Sequence, residues 1–508
     1  MKAASLPAIR SGKPVKREEV PRVSLQEFRE LVVSAPGNQK RVAALFGNAG
    51  PDQAVELFVV LANDAEGLLQ VGSTRLDGDS FSAMTPDCPQ VHLFEREIAE
   101  QWGVVPEGHP WLKPVRFVRS ERKGHDAWNR PEEETPLAGV MDFYRVEGEE
   151  VHEVAVGPVH AGVIEPGHFR FQCHGEHVFH LEISLGYQHR GVERALRGGP
   201  TKRTIPYMET LAGDTTVGHT TAYCQLLEAL SGCRVSARAH AIRGIALELE
   251  RLANHTGGLG ALANDVGFLP TASFCGRLRG DFLNLTALVC GNRFGHALVR
   301  PGGVGFDVDA ERCQKLGERL ALALRDATSA IELLWNSASV GARFEGTGVV
   351  SPEVAESLGL VGVAARACGL ERDVRLDHPS GIFRVSHIPV SVWHTGDVFA
   401  RAYVRWLEIK RSCAFIQEQL QALPAGVTRA ACGELLPDRL CVSLVEGWRG
   451  EICHVALTDA AGTFSTYKVV DPSFHNWSGL AMALRDQQIS DFPLCNKSFD
   501  LSYCGHDL

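Results

Sequence analysis

"SARAHAIRGIALELERLANHTGG", residues 236–258, sets Ile242, Ile245, Ala246, Leu249, Leu252 and Ala253 three or four positions apart. That spacing lines the apolar side chains along one stripe of a helix, so the stretch predicts a long amphipathic helix. "TTAYCQLLEALSG" (220–232) and "DAERCQKLGERLALALRDATSAIELLWNSA" (309–338) repeat the pattern. Further helices are predicted over about 352–369 and 396–422. Flanking them, "FRFQCHGEHVFHLEISLG" (169–186) and "EICHVALTDAAGTFSTYKVV" (451–470) read as strands around a Gly-containing turn. Residues 151–508 are therefore read as a mainly helical unit with small sheets at both ends.

Upstream the period changes. "VELFVVLAN" (55–63) and "GLLQVGSTRL" (67–76) read as strands, and "VHLFEREIAEQWGV" (91–104) as a short amphipathic helix. Residues 22–118 are expected to form a small α+β domain, and the charged, Pro-containing segment 119–150 a linker. Residues 1–21 lack the apolar core of a secretory signal and read as a flexible tail. With 508 residues the chain is too long for one ordinary core, and the whole is assigned to the α+β class.

A net charge of −10 and a pI near 6.1 argue against a nucleic-acid partner. No apolar run reaches the ~18 residues that a membrane-spanning helix needs. No two of the fourteen cysteines lie closer than nine residues, so C-x-x-C is absent. That removes the usual signs of a zinc site or a self-held iron–sulfur cluster and leaves most thiols as reduced core residues. "GGLGALA" (257–263) matches a dinucleotide fingerprint, but a helix precedes it where a strand is required, so helix packing through small residues is preferred.

Titratable residues cluster in "GPVHAGVIEPGHFRF" (157–171) and "LGYQHRGVERAL" (185–196), which hold His160, Glu165, His168, His189 and Glu193. Imidazoles and carboxylates on loops suit proton transfer. The alternative is that they cap and brace the sheet. "TLAGDTTVGHTTAYC" (210–224) adds a Gly-bearing loop that runs into a helix, with His219 just inside it.

Several of these stretches carry a resemblance. "LFEREIAEQWGVVPEGHPWLKP" (93–114) resembles the smaller peripheral-arm subunit of respiratory complex I. "GPVHAG", "YQHRGVERAL", "PYMETLAGDTTVGHTTAYC", "RAHAIRGIALELERLANH" and "RGEICHVALTDAAGTFSTYKVVDPSFHNWSGL" resemble the quinone-site subunit of the same complex. Fusion of the two is typical of hydrogenase-3/4-type large subunits such as that of formate hydrogenlyase. The resemblance implies a nickel–iron-hydrogenase-like large-subunit fold, docked on a small iron–sulfur subunit and on membrane-embedded ion-pumping subunits at the cytoplasmic side of the membrane. It maps a proton-relaying glutamate onto Glu165.

The family's metal ligands are missing from the pattern. A C-G-x-C pair belongs at 212–215, where this chain reads Ala212, Gly213, Asp214, Thr215. A second C-x-x-C belongs near the C-terminus, where Cys495 and Cys504 stand nine residues apart. Neither Ala nor a neutral Thr hydroxyl replaces a thiolate on nickel, so the nickel–iron site is read as lost. The tyrosine that complex I uses for quinone maps near Gly213, and its histidine partner near His160 or His168. A quinone would then depend on His168 or His219 as donor. Arg238 and Arg243 match a segment that lies against the partner's cluster, and His189 is grouped with them as cofactor-facing. Glu248 and His255 read either as buried bracing or as part of a proton path. No cofactor is expected to be held firmly by this chain, and any NAD chemistry would belong to a partner. Three functions stay open: a redox subunit without nickel, a hydrogenase with unusual ligands including Cys495 and Cys504, and a non-catalytic coupling scaffold.

Overall fold

The computed structural model describes residues 6–50, 52–162 and 164–508. In its first unit, β1 (Ala8–Ile9), β3 (Arg41–Ala49), β4 (Val55–Asn63) and β5 (Leu68–Arg75) form an antiparallel sheet in the order β1-β5-β4-β3, while β2 (Val15–Lys16) leaves to join another sheet. The helix α1 (Leu25–Val33) is opened by a reciprocal cap between Ser24 and Glu27 and buries Phe28 and Val32. A second helix, α2 (His92–Trp102), packs on β3 and ends at Gly103, whose φ of 62° suits glycine. Residues 119–150 contain no helix or strand.

The second unit opens with β6 (Val151–Val156), β7 (His168–His174) and β8 (His177–Ser184), an antiparallel sheet in the order β8-β7-β6. The bundle that follows is built from α3 (Thr216–Ser231), α4 (Ala237–Asp265), α5 (Leu269–Cys290), α6 (Ala310–Trp335) and α7 (Val398–Gln421). The dinucleotide-like glycines lie inside α4, where they bring it close to α5: a Cβ on Gly260 would stand 2.7 Å from the Cβ of Cys275. Then come β9 (Arg439–Glu446), β10 (Glu451–Thr458) and β11 (Phe464–Val470), followed by α8 (Pro472–Ala483), α9 (Phe492–Phe499) and α10 (Tyr503–Asp507). About 42% of residues are helical and 17% are in strands, largely segregated along the chain, which places the fold in the α+β class. Among the described residues no helix is long and apolar enough to cross a membrane.

The C-terminal sheet, ordered β11-β10-β9-β2, is buried on both faces. Side chains alternate along a strand. Leu440, Val442, Leu444, Val455 and Leu457 therefore join the core of the first unit, while Cys441, Val445, Ile452 and Ala456 join the core of the bundle. Ion pairs cross the same junction, Arg41 with Glu451 and Lys468 with Glu97. The two units meet through a shared layer.

Two expectations need correction. The tail read over 1–21 is structured from residue 6 onward, its first five residues lying outside the described set: β1 edges the first sheet, β2 pairs with β9, and Leu6, Ile9 and Val20 are buried. Strands of two residues leave no periodicity to read, which is why the segment passes for a tail. The helix expected over 352–369 is two short ones, Pro352–Ser357 and Gly362–Arg366. Gly359 and Gly362 both have positive φ, and a Cβ on Gly362 would fall 2.1 Å from the carbonyl oxygen of Arg449. Close approach of the strand turn forces that break.

Ile9→Ala tests the tail correction. Loss of a fully buried branched side chain is expected to cost about 2–4 kcal/mol, read as a lowered denaturation midpoint of the full chain. An unchanged midpoint would restore the tail.

Candidate functional site

The loop at 210–215 lies against the C-terminal segment 500–508, and two arginines sew them together. Arg449 stands in the turn between β9 and β10 and donates from Nη1 to Asp214 Oδ1 at 2.6 Å and from Nη2 to Asp214 Oδ2 at 2.7 Å. The same guanidinium reaches Thr215 Oγ1 at 3.2 Å and, through Nε, the carbonyl of Asp500 at 2.5 Å. It stacks 3.9 Å above the Trp448 ring. Burial works against its charge, but Asp214 outweighs that and keeps it protonated. Arg190 donates to the carbonyls of Thr210 at 2.7 Å, Leu211 at 2.9 Å and Cys504 at 3.3 Å.

Glu165 is half-buried at the rim. Its carboxylate accepts from the backbone N–H groups of Tyr503 at 3.3 Å and Cys504 at 3.4 Å. The Cys504 thiol is pushed up to about 12, first by burial and then by Glu165 beside it. Its sulfur lies 3.5 Å from Ser502 Oγ.

His219 is fully buried and heads a chain of contacts. Its Nε2 is 3.0 Å from Asp471 Oδ2, and its Nδ1 is 3.1 Å from His454 Nε2. His454 Nδ1 is 2.9 Å from the Tyr467 hydroxyl. Asp471 caps α8 by accepting from Ser473 N–H at 2.8 Å. Burial alone would raise the Asp471 pKa, but the His219 hydrogen bond and the charge of Arg449 hold it below the usual range. Burial and then His219 hold His454 neutral. With one proton on each imidazole, an ionised Asp471 orders the chain: His219 Nε2–H donates to it, His454 Nε2–H donates to His219 Nδ1, and the Tyr467 O–H donates to His454 Nδ1.

The other histidines brace the sheet. His160 Nε2 donates to the Gly167 carbonyl at 3.1 Å. His168 Nδ1 donates to the Gly157 carbonyl at 3.1 Å, and its Nε2 accepts from Arg170 at 3.1 Å. His189 Nδ1 donates to the Asp507 carbonyl at 2.8 Å, pinning the C-terminus. Burial lowers both His168 and His189. Arg243 is buried and spent on Glu228, at 2.5 and 3.0 Å, and on the carbonyls of Arg300 and Gly303. Arg238 pairs with Asp307 and holds the carbonyls of Val308 and Pro424. Both brace the start of α4. Glu193 accepts from the Val469 N–H and pairs with Lys468.

Cys495 and Cys504 do not share surroundings. Cys495 lies in α9 beside Gly348 and Arg401, whereas Cys504 faces Glu165. Among the described residues no three His, Cys, Asp or Glu side chains gather as a metal site. Sequence reasoning missed Arg449, Asp214, Arg190, Asp471, His454 and Tyr467. A fully legible signal existed for some of them, since "RGEICH" and "STYKVVD" lie inside stretches already marked by resemblance.

Comparisons with known proteins bear on this arrangement. Residues 265–436 match the family model of the respiratory-chain NADH dehydrogenase 49 kDa subunit. The carbon monoxide-induced hydrogenase of Rhodospirillum rubrum is 31% identical over 69% of this chain and 97% of its own length. This chain belongs to the fused hydrogenase-3/4 and complex I family. Hydrogenase-4 component G of Escherichia coli is 28% identical over 91% of the chain and 83% of its own length. NADH-quinone oxidoreductase subunit 4 of Thermus thermophilus is 29% identical over 72% of the chain and 97% of its own length.

Two outcomes test the geometry. Asp214→Ala strips the buried Arg449 of its bidentate partner. Because Asp214 is partly exposed, the expected cost is about 3 kcal/mol, the low end for breaking a buried pair, with faster amide exchange across 500–508 by mass spectrometry. Separately, Glu250 accepts from the N–H groups of Val217 and Gly218 at 2.7 and 3.2 Å, and burial pushes it up to about 8. The folded chain then keeps a proton that the unfolded chain releases above about pH 4.3, so stability falls as pH rises toward about 8. Glu250→Gln is expected to flatten that decline in urea midpoints; parallel profiles would exclude it.

Proposed function

We propose that this chain is the large subunit of a membrane-associated oxidoreductase complex that keeps the family's docking frame and has lost its nickel–iron site. The observation that carries this is the pair of arginines at the loop. Where the resemblance requires thiolates, Ala212 is a buried methyl group and the Thr215 hydroxyl and Asp214 carboxylate are engaged by Arg449. A guanidinium and hard oxygen donors do not suit a soft divalent metal. Cys504 faces the loop, and its raised pKa disfavours the thiolate that a metal needs. The donor set does not fit nickel, and no step is derived through it.

In this reading electrons come from the iron–sulfur cluster of a partner subunit, and the chain contributes proton handling beside the docked partner. Glu165 is the exchange point. It is a half-exposed carboxylate held by two backbone N–H groups at the end of the C-terminal segment. Gly213 faces open space, since a Cβ there would meet nothing within 4 Å, so a partner or an acceptor such as a quinone can approach the loop backbone. The separate placement of Cys495 weighs against a hydrogenase with unusual ligands. The coupling-scaffold reading draws on the same arginine closure and differs only in carrying no proton or electron through the site.

Metal analysis of the purified intact complex is the test. Nickel well below one per chain, with no H2 turnover, is expected. Stoichiometric nickel or H2 production would overturn the reading.

A further inference from the structure

Four buried side chains run in series behind the C-terminal segment, and their heavy-atom contacts admit two proton arrangements. In the first, already described, every proton points toward Asp471 and the chain carries one negative charge. In the second, a further proton lies in the Asp471–His219 contact, His219 Nδ1–H donates to His454 Nε2, and His454 Nδ1–H donates to the Tyr467 oxygen. The contacts of 3.0, 3.1 and 2.9 Å are kept, with no heavy atom displaced. One proton has entered, both imidazoles have exchanged tautomers, the Tyr467 hydroxyl has rotated, and the negative charge is gone.

Asp471 Oδ2 and Ser502 Oγ stand on either side of Gly505. A Cβ built on Gly505 would lie 2.7 Å from Asp471 Oδ2 and 2.9 Å from Ser502 Oγ, so the two oxygens flank one point. Ser502 Oγ touches the Cys504 sulfur, and Cys504 lies against half-exposed Glu165. The cap of α8 needs only Asp471 Oδ1, which leaves Oδ2 free to face His219 rather than an arginine.

We propose that Asp471, His219, His454 and Tyr467 form a two-state acceptor that takes up one proton when negative charge is added beside the 210–215 loop. This rests on the redox reading above. The charged and titratable groups facing it are known. Arg449, itself paired with Asp214, approaches from the β9–β10 turn, Glu250 from α4 at the start of α3, and His475 from α8. Around Tyr467 stand Tyr223 and Cys224 of α3, Cys441 of β9 and Cys453 of β10. None of these replaces a member of the chain: Arg449 is committed to Asp214, and the cysteines are held as thiols by burial.

The experiment is nitrogen NMR of the full chain with 15N-labelled histidine, followed through acid titration. Both ring nitrogens of His219 and of His454 are expected to shift at one common midpoint, since the tautomers reverse together. Asp471→Asn should abolish that transition. Tyr467→Phe, which deletes only the O–H donor that the first arrangement uses, should keep the midpoint common and raise it, and it serves alone if Asp471→Asn does not fold. Separate midpoints in the unsubstituted chain, a common transition that survives Asp471→Asn, or a midpoint that Tyr467→Phe leaves unmoved would overturn the acceptor. In the intact complex, reduction with dithionite should draw one proton per chain from a dilute buffer, and the Asp471→Asn complex none. No uptake there, with the common transition intact in the free chain, would overturn the redox link and not the acceptor.

Discussion

The Arg449 guanidinium bridging Asp214, Thr215 and the Asp500 carbonyl is the constraint on which the site depends. A buried cation is tolerated only when its charge and its donors are met. Asp214 supplies the charge and fixes the loop, and the Asp500 carbonyl ties down the start of the C-terminal segment. The turn that presents Arg449 is itself tight. Gly362 and Gly450 approach so closely that a Cβ on Gly450 would meet the Gly362 backbone at 2.8 Å. That crowding breaks the helix at 362 and fixes where Arg449 points. Two arginines, Arg449 and Arg190, cross-link the two segments with hydrogen bonds.

The doubly buried sheet converts that local clamp into a property of the whole chain. One face of β9 and β10 is core for the first unit and the other is core for the bundle. His454 and Tyr467 sit on the bundle face and contact α3, while Glu451 and Lys468 reach the first unit through Arg41 and Glu97. A sheet with two packed faces has little freedom to slide, because a register slip of one residue would swap every side chain between cores. The imidazole chain is therefore held in a layer that both units keep still.

Much of the fold was legible in the sequence, and the reasons differ by element. The bundle helices announced themselves because many turns of one-sided apolar spacing leave little alternative, as in α4 and α6. The pairing of β2 with β9 was invisible, since it is set by a partner more than 400 residues away and needs only two residues of strand. At the site, family resemblance drew attention to the loop, Glu165 and the nearby histidines, and the structure adds what each of them touches. His160 and His168 stand in the motif that drew attention, and each spends one ring nitrogen on a backbone carbonyl nearby, while His168 Nε2 accepts from Arg170. His454, in an unremarkable strand, does more. No local pattern reports which face of a strand will meet a histidine of a distant helix.

The opening helix explains why loop, turn and bundle act as one body. Along α4, Glu250 and Asn254 are four residues apart and share a face. Glu250 receives the first N–H groups of α3, and Asn254 holds the Asp214 carbonyl. Glu248, Arg251 and His255 follow at three and four residues on a neighbouring face, toward α7. There Glu248 takes Ser412, and Glu408 takes both Arg251 and His255. Arg251 also donates to the carbonyls of Glu446 and Gly447, at the foot of the turn that carries Arg449. The surrounding network sets three arginines, 251, 366 and 375, against four acids, Glu248, Asp373, Glu408 and Glu446. Three cations face four carboxylates, and burial and then Asp373 push Glu446 up to about 7. Arginine-bound acids thus surround the site, and Glu250, which burial pushes up to about 8, stands with the Asp471 chain where α4 and the sheet meet. A helix with charges on two adjacent faces is what lets one element fix the clamp and border the proton acceptor together.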